Sequence, residues 1–321
     1  MLQSKRSLLT SLLGILIFII SAQKSFSQEL KDTLPPPITA SLPRDSNISS
    51  SRVIGATVGL AAAITALHIY QYNAWWKDQR VAFHVIEDPD YQGNFDKAGH
   101  VFGAYYSSHF FDEAFQWTGM DSARSTLFGA LCGVIWEFYV EVEDGFARDW
   151  GFSRGDAKSD LVGATFYLLR NRIPFMRNFN YKWSYFPSQK YLQNKPDIPG
   201  QSLNFIEDYG GQSYYVTMDI HGMLPQNMKP YWPKWLNLAL GVGGSGLDTH
   251  TTTGTNPFIN RKLAWYISLD YDIDKIFPES DIPFLNFLRR GFNYWHLPAP
   301  AYRIYPDHRF FILFPFQMSI G

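Results

Sequence analysis

Asp96 and His100 stand four residues apart in the stretch "NFDKAGHVFGAYY", with Lys97 between them. That spacing puts a carboxylate and an imidazole on one face of a helix start. Further along, Glu137, Glu141 and Asp144 fall at i, i+4 and i+7, one carboxylate face of a second helix. Asp156 and Asp160 are again four apart. Helices packed side by side would bring these faces together as one imidazole among six carboxylates. Three chemistries suit such a set. The residues can form hydrogen-bonded locks between helices, with Lys97, Arg148 and Arg154 as partners, because buried polar groups need partners and a satisfied network specifies one packing. His100 with Glu137, Glu141 or Asp144 can hold a divalent metal, although the HExxH spacing is absent. His100 can instead titrate as an acid–base group beside Asp96 and Glu137. The lock is the favoured expectation; no cofactor is expected, with a divalent metal as the alternative.

Other chemistry-bearing residues offer less. "DYDID" at 270–274 has carboxylates at alternate positions, but no glycine follows where a calcium loop needs one, so a solvated sheet face is expected. There is no GxSxG, Walker loop or GxGxxG. "GGSG" at 243–246 belongs to a hairpin, and His250, His296 and His308 read as surface groups in loops. The single cysteine, Cys132, sits in "LFGALCGVIW" and is expected to be buried.

The elements that must position the cluster are apolar helices. Residues 52–70 contain nothing more polar than threonine from Val53 to Leu67, and Gly55, Gly59 and Ala63 form a small-residue face for close helix approach. Trp75, Trp76 and Lys77 follow in the manner of an interfacial belt, so this helix is either a buried central helix or a membrane-inserted one. Helices are predicted over 96–118, over 121–143 with Asp121 or Ser122 as cap, and over 155–170 opening at Asp156. Four apolar helices with short connections predict a four-helix bundle over 52–182.

A connector rich in Pro, Gly, Gln and Asn covers 183–212, and beyond it the period changes to two. Val216 and Met218, then Leu236 to Val242, then Leu263 to Ile273 alternate apolar with small or polar residues. Further strands are predicted in "AYRIYP" and "RFFILFPFQMSI", after a short helix around "PFLNFLRRGF". The region 213–321 is therefore expected to be an antiparallel sheet of about five strands, too few for a closed outer-membrane barrel. Its apolar face must cover the helices, dip into lipid or meet a partner. The fold class is α+β.

Composition points to the cell envelope. Aromatics make up 17% and charged residues only 18%, against roughly 25% charged in ordinary soluble domains. The net charge of −1 gives no bias toward nucleic acid. Lys5 and Arg6, the run "LLGILIFII" and Ser25-Phe26-Ser27 read as a cleaved signal peptide over 1–27, and 28–51 as a disordered Pro/Ser tether. No cysteine is near that site for a lipid anchor. His100, His109, Asp112, Glu113 and Glu137 interrupt the apolar helices, and charges at helix centres cost about 2.5–3.5 kcal/mol each on insertion. An exported chain at the outer membrane or its periplasmic face is expected, rather than one held in the inner membrane.

The blocks "FDKAGHVFGAYY", "GVIWEFYVEVEDG" and "GFSRGDAKSDLVGA" recur in order in a known pattern. Over about residues 52–172 the chain resembles the uncharacterised envelope family of YfiM-type periplasmic proteins, and more distantly the VanZ-like membrane proteins. The matching residues are Asp96, Lys97, His100, Glu137, Glu141, Ser153, Asp160, Gly163 and Ala164. Two departures stand out. Val162 replaces an asparagine common in relatives, and the cysteine of the lipoprotein members is missing. The resemblance implies fold and location and no reaction. The expected function is a non-catalytic structural or interaction subunit of an outer-membrane assembly, such as protein export or outer-membrane assembly machinery. Membrane lipid and other outer-membrane or periplasmic proteins are its expected partners. The alternative is a metal-dependent enzyme or binder acting on lipid or glycan envelope precursors.

Overall fold

The computed structural model describes residues 48–89, 91–193, 204–245, 262–316 and 318–320. The expected signal peptide, most of the expected tether, part of the expected connector and His250 lie outside the described residues.

Helix α1 (Ser50–Gln71) starts where the Ser49 hydroxyl accepts the Arg52 N–H. It is apolar throughout, yet only Ala56 and Leu60 are fully buried, while Ile54 and Val58 are 65% and 63% exposed. Three further helices form a tight unit: α2 (Phe95–Trp117), α3 (Ser122–Asp144) and α4 (Arg154–Arg172). Asp121 caps α3, as expected, by accepting the Arg124 N–H at 3.0 Å. Ser153 rather than Asp156 caps α4. Close approach depends on glycine. A Cβ at Gly129 would lie 2.7 Å from the Ser108 carbonyl oxygen, and one at Gly163 would collide with the carbonyl oxygen of Val101.

The expected four-helix bundle is thus three helices with α1 laid over one side, where Leu60 and Ile64 join Phe111, Phe115 and Trp136. The difference lies in the contact surfaces. Gly59 faces open space and Gly55 meets only the Trp117 ring, so the small-residue face of α1 receives no helix backbone.

The two-stranded parallel pair β1 (Val85–Ile86) and β2 (Phe152–Ser153) ties the entry of α4 to the segment before α2. Among the described residues the main sheet has seven strands in sequence order, all antiparallel, rather than about five. These are β3 (Phe179–Tyr185), β4 (Gln212–Met218), β5 (Leu236–Ser245), β6 (Lys262–Tyr271), β7 (Ala299–Tyr305), β8 (Arg309–Phe314) and β9 (Met318–Ile320). β3 and β9 do not pair, so the sheet is not closed, as expected. The segment 294–296 covers part of the β3 edge: the Trp183 N–H donates to the Tyr294 carbonyl, and the His296 N–H to that of Trp183. The "PFLNFLRRGF" helix is α5 (Pro283–Phe292), fixed to α2 by Arg290, which donates to both Glu113 oxygens at 2.6 and 2.5 Å.

Two expectations for the sheet are overturned. Asp270 of "DYDID" is not solvated; it is fully buried, and its carboxylate meets the equally buried Lys182 ammonium at 2.9 Å. His296 is not a surface group; it is buried and stacked on Tyr215 at 3.8 Å. For Asp270, alternation assigns a face without saying which face is covered, and its face is the covered one. His296 lies outside the strands, where no period marks burial, just after the bridge of Trp295 to Trp183. Cys132 is buried, as expected.

Candidate functional site

The first turn of α2 is set by a sharp bend. Gln92, Gly93 and Asn94 all have positive φ, of 45°, 68° and 66°, which turns the chain abruptly into Phe95. Lys97 then reaches three carboxylates, with its ammonium 2.6 Å from Asp88, 3.0 Å from Asp156 and 3.6 Å from Asp96. Burial alone would lower its pKa; the charges of Asp96 and Asp156 and the hydrogen bonds to Asp88 and Asp156 raise it to about 12.

One turn on, His100 is the hub. Its Nδ1 lies 3.0 Å from Asp160 Oδ1, and its Nε2 lies 3.5 Å from Glu141 Oε1 and 4.0 Å from Asp156 Oδ2. Burial opposes the charged ring, but the hydrogen bond to Asp160 and the charges of Asp156, Asp160 and Asp96 hold its pKa well above 6.5. Asp160 has no exposed side-chain surface, and its second oxygen, Oδ2, has no hydrogen-bond partner.

The carboxylates on α3 are held separately. Glu141 accepts the Ser153 N–H at 2.9 Å, Asp144 accepts the Trp76 indole N–H at 2.5 Å, and Glu137 accepts the Ser107 hydroxyl at 3.1 Å. Glu137 lies across Gly103, where a Cβ would come within 3.0 Å of its carboxylate. Burial raises Glu141 to about 9, Glu137 to about 8, and Asp144 and Asp156 to about 7. It raises Asp160 too, against the His100 hydrogen bond. A buried carboxylate keeps its proton unless a cation compensates its charge.

All eight residues singled out from the sequence therefore converge on one region. Two triplets have ligand atoms close enough to share a metal ion: Asp96, His100 and Asp156, and His100, Glu141 and Asp160, each within 4.8 Å. Glu137 and Asp144 are in neither triplet and stand further along the wall. Two expected partners do not take part in the lock: Arg148 pairs with Asp149 at 3.1 Å, and Arg154 with Glu87 at 3.0 Å on the surface. Asp88 and Tyr209 were missed. Asp88 accepts the Ser153 hydroxyl at 2.7 Å, and the Tyr209 hydroxyl donates to Asp96 at 2.7 Å. Both lie in irregular segments, where no periodicity marks them.

The cluster floors a cavity of about 950 Å³. Asp96, His100, Glu137, Glu141, Asp144 and Asp156 all reach it, while Trp75, Trp136, Trp150, Trp183, Phe205 and Tyr209 supply flat apolar walls. Asp160 is not part of the lining; it holds the imidazole from behind, leaving Nε2 toward the chamber.

Residues 86–172 match the model of a family described as predicted periplasmic lipoprotein, DUF2279. The matched segment runs from β1 to the end of α4 and contains Asp88 and all eight residues singled out from the sequence, but not Tyr209. That description fits an exported protein of the periplasm or cell envelope. It names no reaction, and it carries no assignment to the YfiM or VanZ-like proteins in particular. No curated protein and no solved structure matches the chain.

Proposed function

We propose that this chain is an envelope enzyme that uses a divalent cation, held at His100, to act on a lipid or glycan precursor bound in the aromatic-walled chamber. One observation carries the reading. Asp88, Asp96, Glu137, Glu141, Asp144, Asp156 and Asp160 crowd a buried region in which, among the described residues, Lys97 and His100 are the cations that contact these carboxylates, while Arg148, also on the chamber wall, pairs with Asp149. A pure lock between helices needs balanced pairs and no cavity beside them. A surplus of buried carboxylates around one imidazole, open to a chamber, is the donor set of a borderline or hard cation.

His100 Nε2 would supply one ligand, with Glu141 and Asp156, the carboxylates 3.5 and 4.0 Å from it, as the candidates for the others. Asp160 fixes the ring through Nδ1, the arrangement that commonly orients metal-binding imidazoles. The cation would polarise a substrate oxygen or lower the pKa of water. Lys97 neutralises Asp88 and Asp96, and so keeps the neighbouring charge from repelling an anionic substrate. Glu137, whose carboxyl pKa is pushed up by burial, lines the chamber and is the candidate proton-exchange group. Trp136, Trp150 and Trp183 offer faces on which sugar rings or acyl chains stack.

The test is metal binding by the full chain. After chelation and dialysis, calorimetric titration with manganese or zinc should show one site and a raised Tm. His100→Ala and Glu141→Gln should abolish both effects, and Arg154→Ala should leave both intact. A protein that binds neither metal, or a His100→Ala variant that binds as well as the parent, overturns the reading. Turnover assays on phospholipid and lipid-linked glycan substrates then separate enzyme from binder.

A second reading, a non-catalytic subunit docked on an outer-membrane assembly, is favoured by α1. Ser50–Trp76 is long and apolar enough to cross a membrane, as is Ser122–Asp144, but α1 is the one left mostly uncovered. Capture of a stable envelope partner that is lost on Ile54→Glu, with metal binding unaffected, would support it.

A further inference from the structure

We propose that the outward face of the β-sheet is a lipid-contacting surface, seated against the hydrocarbon of a membrane. The strand register lays the face out directly. Val216 pairs with Leu240, Leu240 with Ile267, Ile267 with Tyr302, and Tyr302 with Phe310, one apolar row straight across five strands. All five are between 41% and 49% exposed. One residue along, Thr217, Ala239, Ser268, Ala301 and Phe311 form the adjacent row on the opposite face, and all are buried. Large apolar side chains thus point out along this row, while the inward side mixes small and polar residues and the Lys182–Asp270 ion pair with a buried aromatic cluster of Tyr215, Tyr266, Phe311 and Phe314.

This inverts the alternation of a water-soluble antiparallel sheet, whose open face is polar. The outward side matches the lipid-facing side of a membrane strand, which is apolar. A row of large apolar groups left in water is unfavourable by about 25 cal/mol for each Å² exposed.

Charge selects the occupant. Outward along β6 stand Trp265, Ile267, Leu269 and Tyr271, none of them charged. At about 3.3 Å per residue they cover roughly 20 Å, close to the apolar band of membrane strands. Aromatic groups close both ends: Trp265 pairs with Tyr305 at one, and Tyr271 stands 6.1 Å from Trp235 at the other. Exposed charges resume just beyond, with Asp307 and Arg309 after Tyr305, and Lys234 beside Trp235. An uncharged band edged by aromatic rings and then by charges complements hydrocarbon edged by headgroups. Because the sheet is not closed, and unpaired strand edges are not tolerated in hydrocarbon, the contact is made by the face alone. This inference does not depend on the cation site.

The test places a nitroxide label at Ile267→Cys in a Cys132→Ser background, with the full chain in vesicles of phosphatidylethanolamine and phosphatidylglycerol. Relaxation of the label by oxygen should exceed relaxation by a water-soluble nickel chelate several-fold. A label at Tyr231→Cys, 86% exposed in the loop before β5, should respond to the chelate instead. If the chelate reaches both positions equally, the face lies in water and the proposal falls. If position 267 is shielded from both reagents and shows dipolar broadening between labels, the face is covered by a second copy, and the proposal falls equally. Leu240→Cys, one strand away in the same row, repeats the measurement should Ile267→Cys melt early.

Discussion

His100 and Asp160 stand sixty positions apart in the chain and 3.0 Å apart in space. What closes that gap is a residue with no side chain. Gly163, one turn beyond Asp160 on α4, rests on the carbonyl oxygen of Val101, the residue next to His100 on α2. The two helix backbones touch at this point, and only there can an aspartate as short as Asp160 reach the ring.

Gly163→Ala is therefore expected to act on stability and on the site together. The added methyl meets backbone, which cannot rotate away, so overpacking should cost about 1–3 kcal/mol. Thermal melting would read the loss. The site effect has its own signature: with Asp160 displaced, the His100 imidazole loses its strongest support and its pKa should fall toward 6.5 by NMR titration. Gly59→Ala on α1, which faces open space, should show neither effect.

The burial of the carboxylates fixes the sign of a pH dependence in the metal-free protein. Burial pushes Glu141 from the ordinary 4.5 up to about 9, Glu137 from 4.5 up to about 8, and Asp144 and Asp156 from 3.8 up to about 7. Each folded group holds its proton longer than the unfolded one. Stability is thus full below the unfolded values and falls as the pH rises toward the folded ones. His100 acts in the same direction, since its folded pKa is also raised, and its contribution is present below 6.5 and fades above. Urea midpoints of chelator-treated protein should accordingly drop steadily from acid to mildly alkaline pH. Glu141→Gln removes the widest of these windows and should flatten the slope. Stability that rises over this range would mean that the carboxylates are not buried as described.

The cluster was legible because α-helices write their faces into sequence at i and i+4. Asp96 with His100, Glu137 with Glu141, and Asp156 with Asp160 were each paired by spacing alone. That the three faces meet followed only from the helices being apolar and closely connected. Asp88 and Tyr209 were hidden, because a side chain in an irregular segment has no period to betray its direction. β3 was hidden for another reason. Asn180, Lys182 and Ser184 interleave with Tyr181, Trp183 and Tyr185 just after a helix that ends in arginines, and this polar–aromatic alternation straddles the expected end of the bundle region at 182 and the start of the connector at 183. In β6 the observed alternation is the expected one, but the expectation of a solvated Asp270 rests on the rule that charges face water. The rule fails where a second buried residue, Lys182, carries the opposite charge.

That pair gives the last prediction. Lys182 and Asp270 are 1% and 0% exposed, and the ammonium also donates to the Tyr271 carbonyl at 2.9 Å and to Asn293 Oδ1 at 3.3 Å. Neither charge has water to fall back on. Asp270→Leu leaves an ammonium buried without its counter-ion, and Lys182→Met leaves a carboxylate in the same state, so each should cost about 3–5 kcal/mol. The double substitution removes both charges at once and should cost far less than the sum, because two desolvation penalties vanish with the attraction they opposed. A double-mutant cycle in urea measures that difference directly. Near-additive losses would mean that the two residues are solvated independently, and that the covered side of the sheet is wetter than its burial indicates. A large coupling, with the double variant still folded, would show that the sheet needs the inner pair balanced rather than charged.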